Sequence, residues 1–120
     1  MVVIEADDAI AVESVVRRSV EALGRRTGGH EEPLFNLMAI RRTGRFMVVL
    51  FPRAAHRPAC YFAEGPARLA VSPAVLEMCG VVVTTEPGDD ERIVAETAHR
   101  IYDEVVVPFS VVHDIVAEVG

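Results

Sequence analysis

The sequence predicts an α+β fold, an antiparallel-rich sheet with helices packed on it. Two β-rich runs are separated by Thr43-Gly44, a pair that favours a hairpin turn. Three other segments carry apolar residues at helical spacing. Of the 120 residues, 51% are hydrophobic, enough to build one core. Because the chain shows neither an internal repeat nor a long linker, we expect a single domain over residues 1–120.

The first helix is predicted over residues 7–23. Asp7 or Asp8 can cap its amino end, and Gly24 suits the position just past its carboxyl end. The polar, glycine-rich stretch 24–33 predicts a loop. The apolar stripe of the helix is formed by Val12, Val15, Val16, Ser19, Val20 and Leu23.

The hairpin strands are predicted over residues 35–42 and 45–51. In the second strand, residues 46–51 are continuously apolar, which predicts a central strand covered on both faces. Pro52 ends this strand because proline cannot donate to a sheet ladder.

Short elements are predicted for the next part of the chain, which prolines and glycines interrupt. Strands are expected near 59–62, over 68–71 and over 81–85. A two-turn helix is expected over 74–79, with Ser72 as its N-cap.

Two helices are predicted at the carboxyl end. The first covers residues 90–105 and has one apolar face. Pro108 ends it, and the apolar spacing beyond predicts a final helix over residues 109–119.

Charge and cysteine content argue against several classes of protein. The formal net charge is −6, and a domain this acidic is a poor candidate for binding nucleic acid. No apolar run approaches the roughly 18 residues of a membrane span, and the first ten residues do not read as a signal peptide. Cys60 and Cys79 lie in apolar surroundings and are interpreted as reduced core residues of a cytoplasmic protein.

The histidines give no catalytic or metal-binding motif. His30, His56, His99 and His113 are scattered, with no spacing typical of a metal site. Glycine-rich phosphate-binding loops and nucleophile elbows are also missing from the sequence. The sequence therefore predicts neither a metal nor a cofactor, and assigns no catalytic residue.

A candidate anion site follows the apolar strand. Arg53 and Arg57 flank His56, and loops at strand ends often display binding groups. Two guanidinium groups can hold phosphate with paired hydrogen bonds, and His56 adds a donor. The predicted helix start at Ser72 offers further N–H donors. The alternative is that the arginines form a solvated turn and that Ser72 is only a cap.

The middle of the chain, residues 35–106, carries a series of short motifs in a fixed order. They are Asn36-Leu37-Met38, Pro52-Arg53, His56-Arg57-Pro58, Ser72-Pro73, Glu77-Met78, Gly80 and Glu104-Val105. With these elements the region, about 60% of the chain, resembles the carboxyl-terminal region of a group of nucleotide phosphorylases. These are bacterial proteins akin to GDP-galactose phosphorylase and, more loosely, diadenosine tetraphosphate phosphorylase (ATP adenylyltransferase), both of the histidine-triad superfamily.

The resemblance implies a histidine-triad-like half-domain that binds a nucleotide or another phosphorylated small molecule. It adds Asn36 to the candidate binding residues Arg53, His56, Arg57 and Ser72. In that superfamily a histidine of a His-x-His-x-His/Gln run attacks phosphorus and forms a covalent intermediate. This chain has no such run, so the resemblance implies a detached half or a non-catalytic relative. A partner chain could supply the histidine motif.

Two other functions remain open. The high apolar fraction and three apolar-striped helices also suit an assembly module, which buries surface against a second copy or a partner. A stand-alone hydrolase would use His56 with Glu64 or Glu77, although no nucleophile–base pair is visible at a readable spacing.

Overall fold

The computed structural model describes residues 1–28 and 32–120. The predicted α+β class is confirmed, because a three-stranded antiparallel sheet is combined with helices. The strands are β1 (Val2–Ala6), β2 (Phe35–Arg42) and β3 (Arg45–Pro52), and the helices are α1 (Ala9–Arg26), α2 (Ala59–Phe62), α3 (Val75–Met78), α4 (Asp89–Arg92), α5 (Ala95–Val105) and α6 (Phe109–Val119).

These residues divide into two compact units. The first unit contains Met1–Arg53 and Val107–Gly120, and the second contains Ala54–Val106. That the two units together make up a single domain over residues 1–120, as the sequence predicts, stays a prediction. Residues 29–31 of the predicted loop, including His30, lie outside the described residues. Among the helices described, none has the length and apolar character needed to cross a membrane.

Strand β3 lies at the centre of the sheet, as its apolar run predicts. The strand order is β1-β3-β2, and both neighbours are antiparallel to β3. Val48 and Val49 point to opposite faces, and both are buried. The predicted hairpin is also confirmed: Thr43 and Gly44 have φ values of 46° and 84°, the positive range that a two-residue hairpin turn requires.

Strand β1 was not predicted from the sequence. Its residues alternate, with Val2 and Ile4 buried while Val3 and Glu5 are exposed. This period-two pattern spans only five residues, too few to distinguish a strand from the start of the following helix. Pairing with β3 makes β1 a strand.

Helices α1 and α6 pack on one face of the sheet and enclose the core of the first unit. Leu23 of α1, Leu50 of β3 and Ile115 of α6 have no exposed surface. Burying each of these side chains contributes roughly 1.5–3 kcal/mol. The buried core residues are Val2, Ile4, Val12, Ala22, Leu23, Val48, Leu50, Val107 and Ile115.

Helix α1 begins at Ala9, two residues after the predicted start, and ends at Arg26, later than predicted. The Asp8 side chain accepts hydrogen bonds from the backbone N–H groups of Ile10 and Ala11, so Asp8 is the N-cap. The prediction that Gly24 follows the helix is wrong, because the helix continues to Arg26.

Contacts with α6 stabilise this added turn. Arg25 and Arg26 both form ion pairs with Glu118, and Arg26 Nη2 lies 2.6 Å from the carboxylate. Hydrogen bonds from Arg26 and then Arg25 hold the pKa of Glu118 below its usual range. These tertiary contacts outweigh the low helix propensity of Gly24.

Three predicted strands of the second unit are absent. Residues 59–62 form helix α2, and residues 68–71 and 81–85 belong to no strand. A strand needs a neighbouring strand for its backbone groups, and in the described residues no strand pairs with these segments. Within this unit, Leu69, Val71 and Ile101 form a separate buried cluster.

The predicted helix over residues 90–105 is two helices, α4 and α5. Ile93 and Val94 interrupt it, with ψ values of 72° and 166°. Asp89 Oδ2 accepts from the N–H of Ala70, and Arg92 donates to the carbonyl oxygens of Arg68 and Pro66 at 2.7 Å each. These bonds fix α4 against residues 66–70 instead of in line with α5.

Replacing the N-cap should destabilise the first unit. Asp8→Ala leaves the first N–H groups of α1 without their acceptor, so we expect the free energy of unfolding to fall by about 1 kcal/mol. Urea denaturation followed by circular dichroism measures this loss. Asp7→Ala is the matched control: among residues 1–28 and 32–120 the Asp7 side chain forms only an exposed ion pair with Arg45, so we expect a change within about 0.5 kcal/mol. Equal losses for the two variants would contradict the capping role of Asp8.

Candidate functional site

The structure groups four of the five predicted site residues into two pairs. Arg53 contacts Asn36 in the first unit, and Arg57 contacts Ser72 in the second. The fifth residue, His56, is exposed and belongs to the second unit.

Arg53 is a buried residue at the end of strand β3. Only 4% of its surface is exposed, and its Nη1 donates a hydrogen bond to Asn36 Oδ1. Its backbone N–H donates to the carbonyl oxygen of Leu34 at 2.8 Å. A buried guanidinium is costly unless it is hydrogen-bonded, and the bond to Asn36 meets part of that demand while linking β2 to the end of β3. Its predicted role in anion binding stays a prediction.

Arg57 is exposed and held in one orientation by two neighbours. Its guanidinium carbon lies 4.4 Å from the centre of the Tyr61 ring, within the range of a cation–π contact. Its Nε donates to Ser72 Oγ at 3.2 Å. Together the ring contact and the hydrogen bond restrict the orientations open to the guanidinium group.

Helix α2 places Tyr61 beside Arg57. It follows the fully buried Pro58, whose carbonyl oxygen accepts from the N–H of Tyr61 at 3.1 Å. The N–H of Ala59 donates to Glu104 Oε2 at 2.7 Å, and the carbonyl oxygen of Cys60 accepts from the N–H of Leu69. The helix is therefore fixed to α5 on one side and to the buried segment before Ser72 on the other.

Ser72 does not cap the following helix, so that prediction is wrong. Helix α3 has Ala74 as its N-cap, and the Ala74 N–H donates to Glu77 Oε2 at 2.8 Å. The Glu77 carboxylate reaches back to the backbone N–H of the N-cap residue, which is the reciprocal bond of a capping box. The Ser72 hydroxyl is instead an acceptor for Arg57.

Glu77 has a structural role within α3. Its side chain is buried and accepts the bond from Ala74, while its carbonyl oxygen accepts from the hydroxyl of Tyr102 at 2.6 Å. Burial, and then the negative charge of Glu77, raise the pKa of Tyr102. These contacts give Glu77 a place in the helix start, and the hydrolase with His56 and Glu77 stays a prediction.

The arrangement around Arg57 is suited to binding an anion. Within residues 1–28 and 32–120, Nη1 and Nη2 of Arg57 make no hydrogen bond, because only Nε is engaged. Two parallel N–H groups on this edge match two oxygens of a phosphate or carboxylate. The Ser72 hydroxyl accepts from Arg57 Nε and retains one proton that it can donate.

Sequence reasoning missed the two aromatic residues of this site. Tyr61 stacks on Arg57, and its ring centre lies 5.2 Å from that of Phe62 in an edge-to-face contact. Phe62 is 69% exposed, which is unusual for a phenylalanine. No local spacing signals this contact, because Arg57 precedes helix α2 and Pro58 between them is extended, with ψ 162°.

The two cysteines differ in their surroundings. Cys79 is exposed, so its predicted place in the core is wrong, while Cys60 is half-buried beside the second unit's core. Burial, and then the negative charge of Glu104, raise the pKa of the Cys60 thiol.

The fold and these contacts define an α+β protein whose second unit carries an oriented, exposed arginine beside an exposed aromatic ring. Comparison with family models, curated proteins and solved structures finds no match to this chain. The resemblance to nucleotide phosphorylases therefore stays a prediction.

Removing the charge of Glu104 should activate the Cys60 thiol. Glu104→Gln keeps an oxygen to accept the Ala59 N–H but removes the negative charge that disfavours the thiolate, so the pKa of Cys60 should fall. At pH 8 a larger thiolate fraction then reacts faster with a disulfide reagent such as DTNB. The rate is measured in a Cys79→Ser background, where Cys60 is the one cysteine that can react with the reagent.

Glu96→Gln is the control for this experiment, because it removes one exposed carboxylate from the same helix. We expect it to leave the Cys60 rate unchanged. An equal acceleration by both variants would show that Glu104 does not act on Cys60 specifically.

Proposed function

We propose that the second unit binds the phosphate of a nucleotide or of another phosphorylated small molecule through Arg57. The orientation of Arg57 carries this proposal: Tyr61 stacks on the guanidinium and Ser72 accepts from Nε. An arginine fixed in this way loses little rotamer freedom when a ligand arrives, so more of the binding energy is retained.

The exposed ring of Phe62 favours a nucleotide among phosphorylated ligands. Tyr61 contacts both Arg57 and Phe62, so the phosphate-binding edge and an exposed aromatic face belong to one cluster. A nucleobase stacked on an aromatic side chain gains about 1–3 kcal/mol in single-stranded nucleic-acid complexes. Phosphate on Arg57 and base on Phe62 together suit a mononucleotide.

Nucleotide binding without chemistry fits the histidine content. The sequence lacks the His-x-His run that the resembled phosphorylases use for attack on phosphorus. We therefore assign this chain the role of a phosphorylase-like binding domain that is inactive alone. A separate chain that carries the histidine motif would complete a nucleotidyl-transfer site.

Titration calorimetry with ADP tests the assignment. We expect ADP to bind and Arg57→Gln to weaken it roughly tenfold or more, because hydrogen bonds to charged groups contribute about 1.5–3 kcal/mol. Arg17→Gln removes the same charge from an exposed position on α1 and should leave the affinity unchanged. The proposal fails if ADP gives no heat at millimolar concentration, or if both variants weaken binding equally.

A second arm separates nucleotide from simple phosphate recognition. Phe62→Ala removes the exposed ring and leaves Arg57, Tyr61 and Ser72 in place. We expect weaker ADP binding and unchanged pyrophosphate binding. Equal affinity of Phe62→Ala and the parent protein for ADP would remove the base-stacking role and leave a phosphate site.

A further inference from the structure

A cavity lies at the hairpin end of the sheet, within the first unit. Its volume is about 300 Å³, and residues of all three strands line it. Glu5, Met47 and Ile40 form a row across the sheet, because Met47 pairs with both of the others. Arg42 and Arg45 form the next row towards the turn. The lining includes no residue of the second unit, so this hairpin cavity is separate from the cluster around Arg57.

The floor of the hairpin cavity is apolar and lies on the sheet face opposite α1 and α6. Successive residues of a strand point to opposite faces. Phe46 and Val48 belong to the core that includes these helices, so Met47 between them points the other way. Ile40 pairs with Met47 and is 37% exposed. A hydrocarbon group placed on Met47 and Ile40 would therefore remove apolar surface from water.

Two arginines form the end of the hairpin cavity nearest the turn. Arg42 lies directly opposite Arg45, and like charges in this position destabilise a pair of strands. Arg45 Nε lies 3.0 Å from Asp7 Oδ1, which offsets the charge of Arg45. In the part of the chain that the structure describes, the Arg42 side chain makes neither an ion pair nor a hydrogen bond. An anion between the two guanidinium groups would relieve their repulsion and give Arg42 a partner.

We propose that the hairpin cavity binds a small amphipathic carboxylate. The carboxylate accepts hydrogen bonds from Arg42 and Arg45, since the N–H groups of a guanidinium match two carboxylate oxygens. The hydrocarbon tail lies on Met47 and Ile40. Small-ligand sites typically combine apolar walls with a few polar groups that fix orientation, in volumes of about 300–1,000 Å³. The hairpin cavity lies at the lower end of this range, which suits a short tail.

Glu5 favours a carboxylate over a phosphate as the head group. It is exposed and lies opposite Met47, one row away from the arginines. The lining contains two arginines and this one glutamate, so its net charge is +1. A single negative charge complements that balance. A phosphate monoester carries about −1.5 to −2 at pH 7 and would be repelled more strongly by Glu5.

A titration of the full chain with octanoate, followed by NMR of the backbone amides, tests the proposal. We expect saturable shifts at Glu5 and at residues 40–47. Acetate lacks the tail and should bind at least roughly tenfold more weakly, because it buries little apolar surface. Octanol lacks the charge and should also bind more weakly. Shifts centred on residues 57–62, equal affinity for octanol, or no saturation at millimolar octanoate would each overturn the proposal.

Two charge variants test the head-group contacts in opposite directions. Arg42→Gln should weaken octanoate binding about fivefold, the effect of losing a favourable exposed ion pair. Glu5→Gln should strengthen it, roughly twofold, because it removes a negative charge near the carboxylate. Arg17→Gln is the matched control: it removes an exposed arginine from α1 and should leave the affinity unchanged.

Circular dichroism checks that the three variants fold, which we expect because the substituted side chains are all exposed. Equal affinities of Arg42→Gln and Arg17→Gln for octanoate would contradict the role of Arg42. Weaker binding by Glu5→Gln would contradict the placement of the carboxylate. Either result overturns the proposal, and neither bears on ADP binding by Arg57.

Discussion

Backbone hydrogen bonding decides which extended segments of this chain become a sheet. Strand β3 has a partner on each edge, since Val48 lies opposite both Ile4 and Ala39. Its peptide groups are satisfied, and its side chains can be buried on both faces. Residues 81–85 have an equally β-forming composition but no neighbouring strand in the described chain, and four of these five residues are exposed. The difference between the two segments is therefore one of position in the fold, not of composition.

The same constraint separates what the sequence predicts from what it does not. The hairpin at Thr43-Gly44 and helix α6 depend on local signals, and both are found where they are expected. Residues 59–62 become a helix because Glu104, distant in sequence, accepts the N–H of Ala59. The added turn beyond Gly24 likewise depends on Glu118. Contacts of this kind join residues more than 40 positions apart, and no local sequence pattern predicts them.

The candidate site also has features that the local sequence predicts and features that depend on tertiary contacts. The position of Arg53 and Arg57 around the end of an apolar strand was enough to single them out from sequence. Their position in the sequence does not indicate that Arg53 is buried against Asn36 while Arg57 is exposed. Ser72 and Glu77 are a further example: the carboxylate of Glu77 accepts from the N–H of Ala74 at the start of α3, and the hydroxyl of Ser72 accepts from Arg57. Residue types indicated the chemistry, and burial decided which residues can perform it.

Net charge limits how an anion could be held by this protein. At −6, the chain as a whole repels phosphate, although salt screens that field over about 8 Å at physiological ionic strength. Attraction must then come from contacts at hydrogen-bond distance, where geometry matters more than total charge. A planar guanidinium fixed by Tyr61 and Ser72 meets this requirement, because its remaining N–H groups point in a set direction. An ammonium group has no plane to stack and no Nε to anchor, so a lysine at position 57 would keep the charge and lose the orientation.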